Sequence, residues 1–454
     1  MSFLSATHWY RHLSAVLCVV LLLSGPIGCQ KLFHDDGALL RGQSVNLALT
    51  VPETPPPATK PLSSEADAAS RVVAKPAPPL PPRLLPQEQP VRQDSVFAAA
   101  PVLSPYPSLR TRTAITLADT VLQGKTLSED TTLRGTVLIK GSLVVAPQAT
   151  LRLEPGTRLY FQRSTGSGQN PRLVVQGRLV CDGTSQRQVV ITSAFSEVQP
   201  ADWGGILLLS TEKKNSLDYC RIEGAEVAVE ARFSQFTSRG MEINRSREGV
   251  VLYDSLATLQ SVRISRCDIG LVAFDSELDV REATLWENRQ GAYLVKSALV
   301  MTASQFRGNS QEGLVVEQGR FRITGCTAVE NRIGMLLKGG DGQIQQCRFF
   351  LNRESGLSVV QSRLKIMYAS FQDNSGVGLR LEGAHGSVSQ SSFSLNAGGN
   401  LHNTGPDGFA AVLNWWGAAD EIQISAGIQD ATRAVGIGRV SFVPFLTSRP
   451  SLAP

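Results

Sequence analysis

The chain has few of the residues on which many enzymes and nucleic-acid-binding proteins depend. Among 454 residues there are 5 histidines and 7 cysteines, which leaves little material for a metal site. The net charge of +5 is too small at this length to indicate binding to nucleic acid. Aromatic residues make up only 6%, so a folded core must be mainly aliphatic. The sequence predicts no cofactor and no nucleic-acid partner.

Proline is missing from the long stretch 201–405, although the chain contains 24 prolines. A segment without proline keeps every backbone N–H available for a strand ladder. Most of the prolines lie instead between Pro52 and Pro107, and runs such as Pro55-Pro56-Pro57 cannot join a sheet or a helix interior. We expect residues 29–110 to form a disordered, proline-rich tether that acts as filler or as a spacer.

The first residues carry the pattern of an export signal. Arg11 precedes the apolar run 13–23, which is shorter than the roughly 20 residues of a membrane span. Gly28-Cys29 resembles the end of a lipoprotein signal, which implies removal of residues 1–28 and lipid attachment at Cys29. We expect an exported outer-membrane lipoprotein, held to the membrane through lipid only. A periplasmic or secreted protein and an uncleaved anchor are the alternatives.

A period of 21 or 22 residues runs through the centre of the chain. Glycine followed by apolar residues repeats at this period from Gly249 to Gly378. Apolar residues alternate within each unit, as at Leu357 and Val359, which is the period of a strand. A unit of this length with three short strands is typical of one coil of a parallel β-helix. A polar column keeps the same period and comprises Asn244, Arg266, Asn288, Asn309, Asn331, Asn352, Asn374 and Asn396.

The columns predict the inside and the corners of the coils. Val280 begins an inward aliphatic ladder, and Phe349 and its equivalents are expected to stack inside. We place the asparagines at a turn, because asparagine tolerates left-handed backbone and stacked amides can bond along a column. These asparagines are therefore interpreted as a structural ladder. Cys326 and Cys347 share a column of small residues, where a disulfide and a pair of buried thiols are both open.

The upstream and terminal motifs resemble those of bacterial right-handed parallel β-helix repeat proteins of the pectate-lyase-like superfamily. The motifs are Pro155-Gly156-Thr157, Trp203-Gly204-Gly205-Ile206 and the closing Asn414-Trp415-Trp416-Gly417. The resemblance implies an all-β, single-stranded right-handed parallel β-helix of about 14 coils over residues 111–446, with a tail at 447–454. Segments near 111–126 and after Trp415 are expected to cap its ends.

Catalytic signatures of that superfamily are not recognisable in this sequence. The polygalacturonase-like and alginate-epimerase motifs are missing, and the acidic residues of the regular coils do not line one column. Acids on neighbouring coils can still converge, so a paired-carboxylate site stays open. The stretches 164–171 and 195–202 are the candidates for active-site loops.

Exposed arginines offer possible glycan contacts. These candidates are Arg245, Arg289, Arg332, Arg353 and the aromatic Trp415. The arginines form either a mutually neutralising turn ladder or a basic stripe that binds carboxylates of an acidic polysaccharide. The tryptophan pair is either a cap or a sugar-stacking platform. We expect a non-catalytic, lipid-tethered envelope protein that binds glycan or acts as a scaffold; a polysaccharide lyase, hydrolase or epimerase is the alternative.

Overall fold

The structure is a computed structural model that describes residues 112, 114, 117–162 and 170–451. These residues form a right-handed parallel β-solenoid, which confirms the predicted fold. Each coil contributes one strand to each of three parallel sheets, of 13, 14 and 14 strands, in agreement with the expected number of coils. The predicted signal, the tether and Cys29 lie outside the described residues.

The strands of the three sheets follow each other in rotation along the chain, except that the last coil adds a strand to sheets 2 and 3 only. Sheet 1 comprises Thr120–Gln123, Thr136–Lys140, Arg158–Gln162, Val189–Ser193, Cys220–Glu223, Glu242–Asn244, Arg263–Ser265, Thr284–Trp286, Gln305–Arg307, Thr327–Val329, Arg348–Phe350, Ser370–Gln372 and Ser392–Ser394. Sheet 2 comprises Thr126–Leu127, Leu143–Val145, Arg172–Val175, Trp203–Leu209, Ala225–Arg232, Glu248–Tyr253, Ile269–Phe274, Gln290–Val295, Glu312–Glu317, Ile333–Lys338, Ser355–Val360, Val377–Glu382, Leu401–Asn403 and Ile428–Gln429. Sheet 3 comprises Thr131–Leu133, Thr150–Leu153, Arg178–Asp182, Asn215–Asp218, Gln235–Arg239, Leu256–Gln260, Glu277–Arg281, Ala298–Thr302, Arg320–Thr324, Asp341–Gln345, Arg363–Met367, His385–Ser389, Phe409–Ala410 and Val440–Ser441.

Helical structure is confined to one short helix, Glu421–Ala426, within the described part of the chain. It lies between the last two strands of sheet 2, and Asp420 caps its first turn by accepting from the Gln423 N–H at 2.9 Å. No helix among the described residues has the length and apolar character that crossing a bilayer demands.

The interior is one continuous apolar core, to which all three sheets contribute side chains. Phe349, Phe371 and Phe393 stack with ring centroids 4.9 and 4.7 Å apart. Trp416 adds a fourth ring 4.6 Å from Phe393 and is 2% exposed, so it closes this stack from the C-terminal end. Trp415 is half-buried and extends sheet 1 through a parallel bridge to Ser392.

The coils turn at corners that carry residues in the left-handed backbone region. At the corner between sheets 1 and 2 these residues include Glu287, Glu330 and Asp373, with φ of 54°, 60° and 54°. Each is followed by an asparagine whose side chain points inward and is buried. The prediction that the asparagine itself takes the left-handed conformation is therefore wrong; the preceding residue absorbs the turn.

The buried asparagines form a ladder of hydrogen bonds from coil to coil. Asn331 Oδ1 accepts from the backbone N–H of Asn309 at 3.1 Å and from its Nδ2 at 2.9 Å. Asn331 Nδ2 donates to the Phe306 carbonyl at 3.1 Å and to Asn352 Oδ1 at 3.2 Å. The same pattern joins Asn288, Asn309, Asn331, Asn352, Asn374 and Asn396.

Asn244 does not belong to this ladder, contrary to the sequence-based prediction. It ends a strand of sheet 1, where it pairs with Glu223 and Ser265. In the two coils before Asn288 the ladder positions are occupied by Ser246 and Cys267. Cys267 N–H donates to Asn288 Oδ1 at 2.9 Å. The Ser246 hydroxyl oxygen accepts from the Ala225 N–H of the preceding coil. The column assigned to Asn244 and Arg266 is thus displaced from the true one.

Serine performs the same task at the corner between sheets 2 and 3. Each serine oxygen accepts an N–H from the preceding coil, and each hydroxyl donates to the carbonyl two residues earlier; Ser276, for example, accepts from Ser255 N–H at 3.1 Å and donates to Phe274 at 2.7 Å. The serines of this ladder are Ser234, Ser255, Ser276, Ser297 and Ser362. The sequence analysis missed this ladder.

The third corner holds the small-residue column that the sequence predicted. Ala283, Ser304, Cys326, Cys347 and Ala369 are all buried. Cys326 and Cys347 are free thiols in neighbouring coils. Burial raises the pKa of the Cys347 thiol well above its ordinary value. Of the two alternatives, a disulfide and a pair of buried thiols, the structure has the buried thiols.

Replacing Asn331 by alanine tests the ladder. The variant strips a buried acceptor from the Asn309 N–H and a donor from the Phe306 carbonyl, and a buried group without a partner costs about 1–3 kcal/mol. We expect Asn331→Ala to lower the free energy of unfolding by about 3 kcal/mol, measured by urea denaturation. Gln343→Ala, which removes an exposed amide on sheet 3, is the control; equal loss in both variants contradicts the role of the ladder.

Candidate functional site

The four arginines predicted to contact glycan do not form one stripe. Arg289, Arg332 and Arg353 each follow an asparagine of the ladder, whereas Arg245 precedes Ser246 and is itself a left-handed corner residue, with φ of 51°. Arg245 is therefore in register with a different column. Counted by ladder position, Arg247 is the equivalent of Arg289 in its own coil.

Two of these four arginines, Arg289 and Arg332, are matched by carboxylates. Arg332 donates to Gln311 Oε1 at 2.9 Å, to Glu354 Oε2 at 2.6 Å and to Glu312. Arg289 lies 3.6 Å from the carboxylate of Asp268. The same arrangement joins further pairs, Arg266 with Glu287 and Arg307 with Glu330. This geometry favours the neutralising interpretation over a free basic stripe.

The outer face of sheet 2 carries an apolar strip, defined here as the sheet 2 strip. Its central column is in register from coil to coil, yet it lies outside the core cluster. Val251, Val272 and Val315 are only 2%, 5% and 2% exposed, because neighbouring outward side chains cover them. The strip consists of Val251, Tyr253, Val272, Phe274, Tyr293, Val295, Val315 and Leu336.

Aromatic rings run along this strip. Tyr253 and Phe274 stack at 5.3 Å between centroids, and Tyr293 meets Phe274 edge-on at 6.3 Å. The Arg232 guanidinium lies 4.8 Å from the centre of the Tyr253 ring. At the other end Tyr293 donates its hydroxyl to Glu317 at 3.1 Å, and burial followed by this bond raises the pKa of the tyrosine. The three half-buried rings thus make one outward-facing platform.

The sequence carries a signal for this strip in the composition of the sheet 2 strands. Sheet 2 strands such as 269–274 and 312–317 are apolar at successive positions, whereas strands of sheet 3 alternate polar and apolar residues. Continuous apolar strands indicate that both faces are covered or available for contact. The glycine-plus-apolar column marked these strands without showing that their outer face is also apolar.

The glycine column itself has a packing reason. A Cβ added at Gly291 would collide with the backbone carbonyl of Gly313 and crowd Asn309 Nδ2 at 3.2 Å. The same clash recurs at Gly249, Gly270, Gly313 and Gly334. Glycine therefore admits the close approach of successive coils beside the asparagine ladder.

A charged cluster lies at the N-terminal end of the sheet 2 strip. Glu230 accepts from Arg232 Nε at 2.6 Å and from Arg172 Nη1 at 3.3 Å. Glu248 lies on the following coil, and its pKa is raised, first by burial and then by the nearby charge of Glu230. We name these four residues the Glu230 cluster. Two carboxyl groups with unequal environments are the arrangement that a paired-carboxylate mechanism would use.

The loop 195–202, one of the two expected active-site loops, leads directly into sheet 2. Asp202 is bound by Arg112 at 2.7 Å and caps its own loop by accepting from Gln199 N–H at 2.8 Å. Arg112 also covers the Phe195 ring at 4.3 Å. The second loop, 164–171, lies mostly outside the described residues. Within residues 117–162 and 170–451 no group of three or more His, Cys, Asp or Glu side chains is placed to hold a metal ion.

The raised pKa of Glu248 predicts a pH-dependent stability difference. Because the folded chain keeps this proton above pH 4.5, where the unfolded chain loses it, stability falls as pH rises through the raised pKa. We expect Glu248→Gln to match the wild type below pH 4.5 and to be more stable at pH 7, measured by thermal unfolding between pH 4 and 8. Glu277→Gln, at an exposed position of sheet 3, is the control. A variant less stable than the wild type at pH 7 contradicts the assignment.

Two family models match the chain. Residues 124–240 match a pectate-lyase-like β-helix domain, and residues 269–415 match a right-handed β-helix region. A search of curated proteins finds no match.

Solved structures with a similar fold include two epimerases and a tailspike. The A-module of the Azotobacter vinelandii mannuronan C-5 epimerase AlgE6 is 14% identical, with 70% of this chain and 91% of that one covered and a TM-score of 0.43. The periplasmic alginate epimerase AlgG is 13% identical, covering 69% and 78%, with a TM-score of 0.34. Tailspike protein 3 of bacteriophage CBA120 is 12% identical, covering 70% and 57%, with a TM-score of 0.30. At these sequence identities and TM-scores the likeness concerns the fold alone, and an activity has to be inferred from the residues of this chain.

Proposed function

We propose that this chain, a right-handed parallel β-helix protein of the pectate-lyase-like kind, binds a linear polysaccharide lengthwise along the outer face of sheet 2. The observation that carries the proposal is the platform of Tyr253, Phe274 and Tyr293 on the sheet 2 strip. The three rings are half-buried, so part of each ring stays open to a ligand on the outer face of the sheet. Aromatic rings with a polar tip suit a ligand that is apolar on one side and hydroxylated on the other.

The repeat of the solenoid suits a polymer of repeating units. Successive strands of sheet 2 are about 4.8 Å apart, so outward side chains recur at a spacing comparable to one sugar ring. The strip and its charged neighbours extend over five steps from Glu230 to Lys338, about 24 Å in total. A polymer that lies along the solenoid axis can thus meet a new outward side chain at each unit.

Binding without catalysis is the form of the proposal that the charged cluster supports. Glu230 is bound by Arg172 and Arg232, so both of its carboxylate oxygens are already engaged by cations of the chain itself. One observation favours the alternative of a lyase, hydrolase or epimerase: the raised pKa of Glu248 beside Glu230. A reducing-end assay over a panel of polysaccharides tests for a lyase or hydrolase, and proton NMR of the incubated polymers tests for an epimerase. Turnover that Glu248→Gln abolishes would make the chain an enzyme.

The cellular place of this function stays a prediction. The export pattern before Cys29 supports a protein of the cell envelope, held by lipid at the outer membrane or released from the signal as a periplasmic protein. Mass spectrometry of the mature N-terminus separates these alternatives. A scaffold role without glycan would leave the sheet 2 strip for a protein partner or a second copy of the chain.

Removing the platform tests the proposed function. We expect Phe274→Ala and Tyr293→Ala each to lose about 1 kcal/mol of binding free energy, or about a fivefold rise in Kd, for any polysaccharide that the wild type binds. Isothermal titration calorimetry measures the change. Tyr368→Ala, which removes an exposed aromatic ring outside the sheet 2 strip, is the matched control.

Self-association through the sheet 2 strip would contradict the proposed binding of polysaccharide. If the wild type binds no member of a polysaccharide panel and sedimentation shows self-association that Tyr293→Ala removes, the strip is an interface between copies and the proposal fails.

A further inference from the structure

One cation on the outer face of sheet 2 differs from the others in having no carboxylate partner. Arg172 and Arg232 bind Glu230, and Lys338 donates to Glu317 at 3.0 Å. Arg380 forms no hydrogen bond or ion pair within the described part of the chain, and its Nε atom is buried without an acceptor. Glu382, two residues further along the strand, is exposed and makes no ion pair with it.

Arg380 continues the central column of the sheet 2 strip. Leu336, the last apolar member, is in register with Ser358, and Ser358 is in register with Arg380. The next residue in the same column is His402, followed by Gln429. A ligand that lies along the strip therefore reaches Arg380 two coils beyond Leu336.

His402, the next residue in the column, lies near the positive charges of Arg380 and Arg433. The pKa of His402 is lowered, first by burial, then by the charge of Arg380 and, more weakly, by that of Arg433, while a bond to the Gly398 backbone opposes the shift. No carboxylate contributes to this shift. The imidazole is therefore neutral at pH 7 and leaves the guanidinium as the main charge of the column.

Arg380 is half-buried, and only its Nε is among the buried unpaired atoms, so the terminal nitrogens of its guanidinium remain open to a ligand. The planar guanidinium presents its donors in a fork that fits two oxygens of one anion, and such bonds are stronger than neutral ones. Ser358 and His402, the neighbours above and below, offer a hydroxyl and a ring nitrogen on the same face. An anionic group of a bound ligand would supply the acceptors that the chain itself does not.

We infer that Arg380, with Ser358 and His402 beside it, forms a subsite for one anionic group of the bound polysaccharide, a carboxylate or a sulfate. The inference rests on the proposed function and makes it more specific, because it selects charged glycans over neutral ones. It also assigns the selectivity to a residue outside the arginines that the sequence singled out, since Arg332 is already occupied by Glu312 and Glu354.

Calorimetric titration of the full chain tests this subsite with three matched probes. The probes are polygalacturonate oligomers, the same oligomers with their carboxylates reduced to alcohols, and sulfated dextran oligomers of similar length. We expect the wild type to bind at least one of the two anionic probes about tenfold more tightly than the reduced oligomers. Preference for polygalacturonate identifies a carboxylate, and preference for sulfated dextran identifies a sulfate.

Variants of Arg380 locate the preference. Arg380→Gln is expected to remove the tenfold preference for the anionic probe and to leave binding of the reduced oligomers unchanged, while Arg380→Lys keeps part of it. Arg348→Gln, which removes an exposed arginine of sheet 1, is the control and should behave as the wild type. If Arg380→Gln loses no more affinity than Arg348→Gln, or if charged and reduced oligomers bind equally, the subsite is refuted while the proposed function stands. If no probe binds the wild type, both fail.

Discussion

The solenoid depends on a hydrogen bond that crosses from one coil to the next at each corner. Where the backbone leaves a sheet, a left-handed residue turns the chain and the following N–H points into the interior. A buried N–H must find a partner. It finds a side-chain oxygen of the next coil, from asparagine at the corner between sheets 1 and 2 and from serine at the corner between sheets 2 and 3. At the third corner the same bond forms where the small residue is a serine, as from Ala283 N–H to Ser304. Because the ladder and the left-handed residue occur side by side, the corner shape and its buried polar partner are specified together.

This constraint explains which parts of the fold were predictable. The period, the inward aliphatic ladder and the phenylalanine stack follow from residue type and spacing, because in sheets 1 and 3 apolar residues alternate with polar ones and so mark the inward face. The asparagine column was found because asparagine is distinctive. The serine ladder was missed because serine occurs throughout the chain and its role depends on contact with the coil below. Asn244 was misplaced because Ser246 and Cys267 take the ladder position there, so residue type alone put the column two residues too early in that coil.

The candidate site was less predictable than the fold. Arg245, Arg289, Arg332 and Arg353 attracted interest as charged residues near a repeated corner, yet such corners also supply their own carboxylates, as Glu312 and Glu354 do for Arg332. The sheet 2 strip is made of valine, leucine and aromatic residues that a sequence-based view assigns to the core. Only the three-dimensional register shows that Val251 and Val315 face outward while Val250 and Leu314 face inward. The lone Arg380 stands out only after the partners of the other cations are known.

The direction of the asparagine ladder has a further consequence. Each N–H is satisfied by the oxygen of the coil that comes later in the chain, so a nascent solenoid always ends in a donor waiting for residues that have not yet arrived. The last asparagine of the ladder, Asn396, donates its Nδ2 to Asn400 Oδ1. Asn400 Nδ2 in turn donates to the Trp416 carbonyl, where the series ends. The ladder therefore has a direction: as the chain emerges from its amino terminus, every completed turn presents the donors that its successor satisfies. Evolution can lengthen such a chain by whole turns while the terminal stop is preserved.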